Sequence, residues 1–221
     1  MKNKHVRFQE NDTFSCLFQP EFETVFRKDF YLKGLWNKSV FARDAPISLE
    51  LGCGKGEYTL ALARAHPHRH YIGIDIKGAR IWRGAKTATQ ELIHNVAFLR
   101  TRIEFIESFF AHDEVDEIWI TFPDPQMNKE RKRLTHPLFL DRYRTFLRSG
   151  ATIHLKTDNR ALYDYTFETA CCLNYHVICA CPDVYGAGID QMYPILGVRT
   201  FYEKQYLAMG RPICYLAFHV A

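Results

Sequence analysis

No apolar run in this 221-residue chain reaches eighteen residues, and the first five residues, MKNKH, contain no apolar core of a signal peptide. These absences argue against a membrane-spanning helix and a secretory leader, so we expect a cytoplasmic protein without a membrane partner. Internal repeats and low-complexity tracts are missing too. A large excess of one charge sign is also absent, because the net charge of +4 is only mildly basic. That charge permits a nucleic-acid partner but does not require one.

The cysteines show no pattern of pairing. There are seven, an odd number, and their spacing is not that of a disulfide framework, which fits a reducing compartment. Cys171, Cys172, Cys179 and Cys181 come nearest to a metal pattern, but a structural zinc site would use two C-x-x-C-like pairs. Cysteine is among the residues most often buried. We therefore favour packing for these thiols and expect no metal.

Residues 1–45 are rich in aromatic and basic side chains, for example Phe14, Lys28 and Trp36. One interpretation is an N-terminal extension whose rings pack onto the main domain. The other is that the basic residues between the rings help to bind nucleic acid. In either case, we predict an aromatic and basic extension over 1–45 and a single main domain over 46–221.

From residue 46 onward, predicted strands and helices alternate, which is typical of a parallel α/β sheet. The predicted strands cover residues 47–51, 70–76, 96–99, 115–122, 151–157, 176–181 and 213–219. A long segment, 182–212, separates the last two strands. A connection of this length in a compact domain is more often functional than idle.

A glycine-rich turn follows the first predicted strand, in the run LELGCGKG that begins at Leu49. Gly52, Gly54 and Gly56 let the backbone turn sharply and let a ligand approach main-chain N–H groups. Their G-x-G-x-G spacing is shorter than the G-x-G-x-x-G fingerprint of dinucleotide sites. Glu50, at the end of the strand and facing the crevice, would repel a pyrophosphate but suits a ligand with an amino group. This combination favours S-adenosylmethionine over NAD.

Acidic residues lie at the ends of four predicted strands: Glu50, Asp75, Asp124 and Asp158. In such sheets the ligand binds outside the carboxyl ends of the strands, near the change in strand order. Asp75 follows Glu50 by 25 residues, where doubly wound nucleotide folds place a carboxylate for ribose hydroxyls. An ordinary surface aspartate is the alternative. We predict that the four acids and the glycine turn form one site.

The run FPDP, residues 122–125, is the most specific of these signals. Two prolines restrict the backbone on either side of Asp124 and remove two N–H donors, so its carboxylate is expected to be held rigidly. A basic loop, Lys129–Arg133, follows and could contact phosphates.

Five motifs in order, LELGCGKG, GIDIK, FPDPQMNKERKRLTHP, HLKTDN and RTFYE, resemble those of the bacterial tRNA (guanine-N7-)-methyltransferase family. The similarity covers roughly residues 31–219. The resemblance implies a Rossmann-like class I methyltransferase fold, with a central, mostly parallel sheet flanked by helices and an antiparallel strand near the C-terminus. It also implies transfer of a methyl group from S-adenosylmethionine to N7 of a guanosine in the variable loop of tRNA (position 46 in tRNA convention).

The resemblance also implies roles for individual residues. The residues implied to bind the cofactor are Glu50, Gly52, Gly54, Asp75 and Asp124. Asp124 is in addition the implied catalytic residue, beside the transferred methyl group. The residues implied to contact the guanosine are Asp158, Thr200 and Glu203.

Three positions depart from the family pattern. Leu35 replaces a commonly basic residue of the family's K-G-K-W-N run. Arg102 stands where the family usually has an acid that contacts adenine, so main-chain groups or Glu104 are expected to take over that contact. Asn128 stands where the family has a lysine that contacts the substrate, with Lys129 beside it.

Other functions are open at this stage. The chain could be an S-adenosylmethionine-dependent methyltransferase of another nucleic acid or of a small molecule. It could also be a non-catalytic RNA-binding homologue, an option suggested by Arg102. The expected cofactor is S-adenosylmethionine, with S-adenosylhomocysteine as its product. The expected partner is tRNA, bound by a monomer or a homodimer.

Overall fold

A computed structural model describes residues 4–220 of the chain. Its strands are β1 (Leu17–Phe18), β2 (Ile47–Leu51), β3 (His70–Asp75), β4 (Val96–Arg100), β5 (Val115–Thr121), β6 (Leu147–Thr157), β7 (His176–Cys181) and β8 (Cys214–His219). Its α-helices are α1 (Lys4–Asn11), α2 (Phe22–Val25), α3 (Glu57–Ala65), α4 (Gly78–Gln90), α5 (Pro137–Arg144), α6 (Arg160–Cys172), α7 (Ile189–Met192) and α8 (Phe201–Ala208). Short 3-10 turns occupy Ile103–Ser108, Glu130–Lys132 and Pro194–Gly197.

The strands form one sheet in the order β1-β4-β3-β2-β5-β6-β8-β7. Every neighbouring pair is parallel except those that include β8, which is antiparallel to both β6 and β7. The strand order changes direction between β2 and β5, where sheets of this kind bind their ligands. The predicted fold class, mostly parallel with an antiparallel strand near the C-terminus, is confirmed.

Helices cover both faces of the sheet. Helices α5 and α6 pack on one face, and α3 and α4 pack on the other together with part of the 182–212 segment. Strands β2 and β3 are buried along their whole length. The polar residues of β2, Ser48 and Glu50, are buried as well, and both form hydrogen bonds with side chains of β5.

The N-terminal extension packs against the rest of the chain. Strand β1 pairs with β4, and Glu10 of α1 forms an ion pair with Lys86 of α4 at 2.8 Å. Trp36 is fully buried and donates a hydrogen bond from its indole N–H to the carbonyl of Phe109. The extension therefore shares the core of the sheet, and a division of the chain at residue 45 stays a prediction.

The predicted boundary between one helix and the strand after it is wrong. The helix, predicted to begin at Thr135-His136-Pro137 and to continue to Leu147, ends at Arg144, and β6 starts at Leu147 rather than at the predicted Ala151. Leu147 pairs with Val115 of the neighbouring strand β5, and this long-range pairing places Leu147 in a strand instead of the helix. Within residues 4–220, the longest helices have 13 residues, and none is long and apolar enough to cross a membrane.

Candidate active site

The glycine turn between β2 and α3 leaves its outer side open. Gly52 and Gly54 have φ angles of +77° and +57°, and a Cβ added at either would meet no atom closer than 4.0 Å. Gly56 is different, because a Cβ there would lie 2.7 Å from the ring of Phe98. Two glycines thus border open space in which a ligand can lie, and the third allows close packing against the sheet.

Asp75, at the end of β3, fastens this turn. One oxygen of its buried carboxylate accepts a hydrogen bond from Gly54 N at 2.9 Å, and the other accepts one from Lys77 N at 2.7 Å. A carboxylate offers about four acceptor positions. Lone pairs therefore remain on Asp75 for a donor such as a ribose hydroxyl.

Glu50 lies behind the turn, with only 2% of its surface exposed. One oxygen accepts a hydrogen bond from Thr121 Oγ1 at 2.5 Å, and the other accepts bonds from Thr59 N, at 2.7 Å, and Thr59 Oγ1. Burial raises the pKa of Glu50 to about 7; the threonine hydrogen bonds oppose this shift and the charge of Asp75 adds to it. The side chain therefore ties β2 to α3 and β5. Its predicted contact with the cofactor stays a prediction, since its observed partners are internal.

Asp124 is exposed just after the end of β5, in a loop with an unusual backbone. Phe122 and Gln126, two residues to either side, have φ angles of +47° and +49°, a region that bulky side chains rarely adopt. One Asp124 oxygen accepts a hydrogen bond from Gln126 N at 3.0 Å, and Phe122 N donates to the carbonyl of Lys156 at 2.8 Å. Within the described residues, the second Asp124 oxygen has no hydrogen-bond partner. A strained, anchored loop thus presents one carboxylate oxygen to solvent.

Asp158 is half-buried at the end of β6, next to β5 in the sheet. Its carboxylate accepts a hydrogen bond from the Arg211 guanidinium at 2.9 Å. Arg211 is near the end of the 182–212 segment, so Asp158 connects that segment to the end of the strand.

Thr200 and Glu203 are at the start of α8, and both are buried. Thr200 Oγ1 caps the helix by accepting a hydrogen bond from Glu203 N at 3.3 Å, so the T-x-x-E run includes a helix cap. The Glu203 carboxylate forms an ion pair with Lys156 Nζ at 2.8 Å, and it accepts a hydrogen bond from the Tyr185 hydroxyl at 2.6 Å. Both side chains are thus used inside the protein, and their contact with a substrate stays a prediction.

Lys156 is a buried charged position beside the site that the sequence did not single out. Its ammonium donates hydrogen bonds to the carbonyls of Leu196 at 2.6 Å and Val198 at 3.2 Å, besides its ion pair with Glu203. Burial lowers the pKa of Lys156, and the charge of Glu203 opposes that shift. The available signal was a lysine in an apolar strand, in HLKTDN, because lysine is almost never fully buried without a partner.

Two of the positions that depart from the family pattern, Arg102 and Asn128, follow strands β4 and β5. Arg102 is exposed and lines a cavity of about 490 Å³ at the ends of β3 and β4, together with Ile76 and residues of the N-terminal extension. Glu104 does not line this cavity. Asn128 and Lys129 are both exposed in the loop after Asp124.

Glu50 and Asp75 lie at the carboxyl ends of β2 and β3, and Asp124 and Asp158 come after β5 and β6. These four strands are adjacent in the sheet, in the order β3-β2-β5-β6. With neighbouring strands about 4.8 Å apart, the four strand ends span about 14 Å of one sheet edge. Glu50 also connects β3 with β5, because the charge of Asp75 in β3 acts on its carboxylate and it accepts a hydrogen bond from Thr121 of β5. Glu203 is connected to this edge through its ion pair with Lys156 of β6.

These groups fit S-adenosylmethionine. The open backbone at Gly52 and Gly54 can take a ligand close to the main chain, and Asp75 has free lone pairs for hydroxyl donors. A cationic ligand also suits an edge with four acidic residues. Between residues 4 and 220, no three His, Cys, Asp or Glu side chains are grouped so that they could hold a metal ion.

Comparison with known proteins also indicates a methyltransferase. A family model described as "Putative methyltransferase" matches residues 44–216. A tRNA (guanine-N(7)-)-methyltransferase of Christiangramia forsetii is 49% identical over 99% of this chain and 98% of its own length. One of Bacillus subtilis with the same name is 31% identical over 82% of this chain and 83% of its own length.

Solved structures show the same fold at low identity. The 16S rRNA methyltransferase KamB matches with a TM-score of 0.61 at 14% identity, over 83% of this chain and 92% of that one. A 16S rRNA (adenine(1408)-N(1))-methyltransferase mutant from Catenulisporales acidiphilia, solved with its cosubstrate SAM, matches with a TM-score of 0.58 at 15% identity, over 82% of this chain and 88% of that one. These likenesses concern the fold alone. On the sequence matches, this chain belongs to the tRNA (guanine-N7-)-methyltransferase family.

Proposed function

We propose that this protein transfers a methyl group from S-adenosylmethionine to N7 of a guanosine in tRNA, at position 46 of the variable loop. The observation that carries the proposal is the placement of Asp124. An exposed, rigidly held carboxylate follows the strand next to an open glycine turn, in a chain of this family.

The cofactor would lie across the glycine turn. Gly52 and Gly54 would let its methionine part approach the main chain, and Asp75 would accept hydrogen bonds from its ribose hydroxyls. Glu50 would act from behind by holding the turn in place. When bound, S-adenosylmethionine supplies an electrophilic methyl group on a sulfonium centre.

The proposed reaction requires little proton transfer by the protein. Guanine N7 has a free lone pair at neutral pH, so no general base has to remove a proton before attack. The main task is to place N7 in line with the methyl group, and positioning of this kind can supply roughly 7–11 kcal/mol in ideal cases. Attack leaves a positive charge on the guanine, which the fixed carboxylate of Asp124 would stabilise. Asp124 thus orients and stabilises, and does not act as a base.

The RNA would be held by cations around the strand ends. Lys129, Arg131 and Lys132 are exposed in the loop after Asp124, and Lys77 and Arg160 are exposed after β3 and β6. A guanosine in folded tRNA must be splayed out to enter such a pocket, as RNA-binding proteins commonly require. Asp158, Thr200 and Glu203 are the proposed guanosine contacts. We further expect a cytoplasmic location and a monomer or homodimer.

The deciding experiment is methyl transfer to two tRNA transcripts that differ only at position 46, one with guanosine and one with adenosine. The proposal requires label from S-adenosylmethionine in the first transcript only, and 7-methylguanosine after digestion to nucleosides. Label in both transcripts, or in ribosomal RNA alone, would assign another nucleic-acid substrate. If calorimetry detected no binding of S-adenosylmethionine, the chain would be a non-catalytic RNA-binding homologue.

A further inference from the structure

A groove between α3 and α4 is lined by an excess of positive charge. It encloses about 580 Å³, and its lining includes Arg7, Lys55, Arg64, Arg80 and Arg83 but only one acid, Glu57. We propose that this groove binds the phosphates of an RNA segment next to the target nucleotide. The proposal rests on the proposed function, because it takes tRNA as the partner and adds a second contact surface.

The positive charge of the groove is largely uncompensated. The one acid, Glu57, accepts a hydrogen bond from Phe201 N at 2.9 Å. Arg64 has an ion pair with Glu91 outside the groove lining. Within residues 4–220, Lys55, Arg80 and Arg83 have no ion pair with a carboxylate. Several charges therefore remain available to an anionic ligand.

Aromatic rings, rather than acids, accompany several of these cations. The Lys55 ammonium lies 4.1 Å from the centre of the Phe201 ring, and the Arg80 guanidinium lies 5.8 Å from that of Tyr202. Phe201 and Tyr202 are themselves 45% and 38% exposed. Cations next to exposed rings are typical of surfaces that bind single-stranded nucleic acid, where phosphates meet the cations and bases stack on the rings. This pairing favours RNA over an inorganic anion.

The groove is continuous with the candidate active site. Lys55 belongs to the glycine turn itself, between Gly54 and Gly56, and Arg64 is in the last turn of α3. Within α3, the seven residues from Glu57 to Arg64 extend about 10 Å along the helix axis at 1.5 Å per residue. An RNA strand that delivers a splayed guanosine to the strand ends can therefore continue along α3 without leaving the basic surface.

The test variant is Arg64→Ala with Arg83→Ala, which removes two exposed cations from the groove. Its matched control is Arg144→Ala with Arg148→Ala, which changes the net charge equally. Arg144 pairs with Asp141 as Arg64 does with Glu91, and Arg148 is a second exposed arginine, paired with Asp116. Arg144 and Arg148 line a different cavity, together with Asp113 and Asp141, so both lie away from the groove.

We expect the groove variant to bind the tRNA transcript about tenfold more weakly in fluorescence anisotropy at low salt. The slope of log affinity against log salt should decrease by about 2, because each phosphate contact contributes about 1. The loss should be the same for transcripts with guanosine or adenosine at position 46, since backbone contacts carry no sequence information. Affinity for S-adenosylmethionine should not change. Arg64→Lys with Arg83→Lys should restore most of the RNA binding.

The outcomes separate the two proposals. If wild-type protein methylates tRNA but the groove variant binds RNA like the control variant, the groove proposal is overturned and the proposed function stands. If wild-type protein binds tRNA without methylating it, and the groove variant loses affinity and slope, the groove is an RNA surface and the proposed function fails. If wild-type protein does not bind tRNA, both are overturned. A binding loss that the lysine variant does not restore would mean a structural effect and would also reject the groove.

Discussion

Lys156→Met should destabilise the protein by about 3–5 kcal/mol, the usual cost of removing one partner from a buried ion pair. Both side chains of the Lys156–Glu203 pair are 0% exposed, and the joined atoms are 2.8 Å apart. The substitution leaves the Glu203 carboxylate buried with only the Tyr185 hydroxyl as donor, and it also removes the donor to the Leu196 carbonyl. Glu203→Leu should cost a similar amount, because it leaves a buried ammonium.

The double variant distinguishes the pair from its separate members. Together, Lys156→Met and Glu203→Leu remove both charges, so the remaining cost is that of the unpaired carbonyls and hydroxyl, about 1–3 kcal/mol each. The double variant should therefore be less destabilised than the sum of the single variants. The expected coupling energy is on the order of 3 kcal/mol.

Urea unfolding followed by circular dichroism measures this coupling, provided that the m-value stays constant. The control cycle uses Lys33 and Asp29, whose charged atoms are 2.7 Å apart but whose side chains are 27% and 72% exposed. An exposed pair should couple by less than about 1 kcal/mol. If the two cycles gave the same coupling, burial would not govern the Lys156–Glu203 pair.

Three further predictions concern the turn and the strand ends. Asp124→Ala should lower methyl transfer to tRNA by at least about 100-fold, as loss of a preorganised charge does, without changing the urea midpoint; near-normal transfer would remove Asp124 from its role. Gly54→Ala should weaken the binding of S-adenosylmethionine, measured by calorimetry, and should lower the unfolding free energy by about 1–2 kcal/mol. Gly56→Ala, whose added Cβ would lie 2.7 Å from the Phe98 ring, should mainly lower the unfolding free energy. If the two variants changed both measurements equally, the assignment of Gly54 to the cofactor site would be contradicted. Glu50, with its pKa raised from 4.5 to about 7, contributes stability that is fully present below pH 4.5 and is lost as the pH rises through about 7. Across that window Glu50→Gln should remove about 3 kcal/mol of pH dependence from the unfolding free energy, and an unchanged dependence would reject the shift.

Much of the site was predictable because its signals are local. The G-x-G-x-G spacing, the acid at each strand end and the prolines around Asp124 act through backbone geometry over a few residues. They predict a strand, a turn and a carboxylate of fixed direction without information from the rest of the chain. The order of the motifs then identified the family.

The direction of particular side chains was not predictable. Glu50 was expected to face the crevice, yet it lies behind the turn because Thr59 and Thr121 bring three hydrogen-bond donors to it from α3 and β5. Glu203 pairs with Lys156, 47 positions earlier in the chain, which no local pattern indicated, and its contact with guanosine stays a prediction. Such pairings depend on which residues the fold places together, and no local pattern contains that information.

The sequence by itself determined the parallel α/β sheet, the glycine turn and the family, because repeated burial patterns and short motifs specify them locally. Only the tertiary structure decided that β1 extends the sheet, that Glu50 and Glu203 are used internally, and that cations from α1, α3 and α4 line one groove. These features join residues from distant parts of the chain, and their energies come from burial and charge in the folded state.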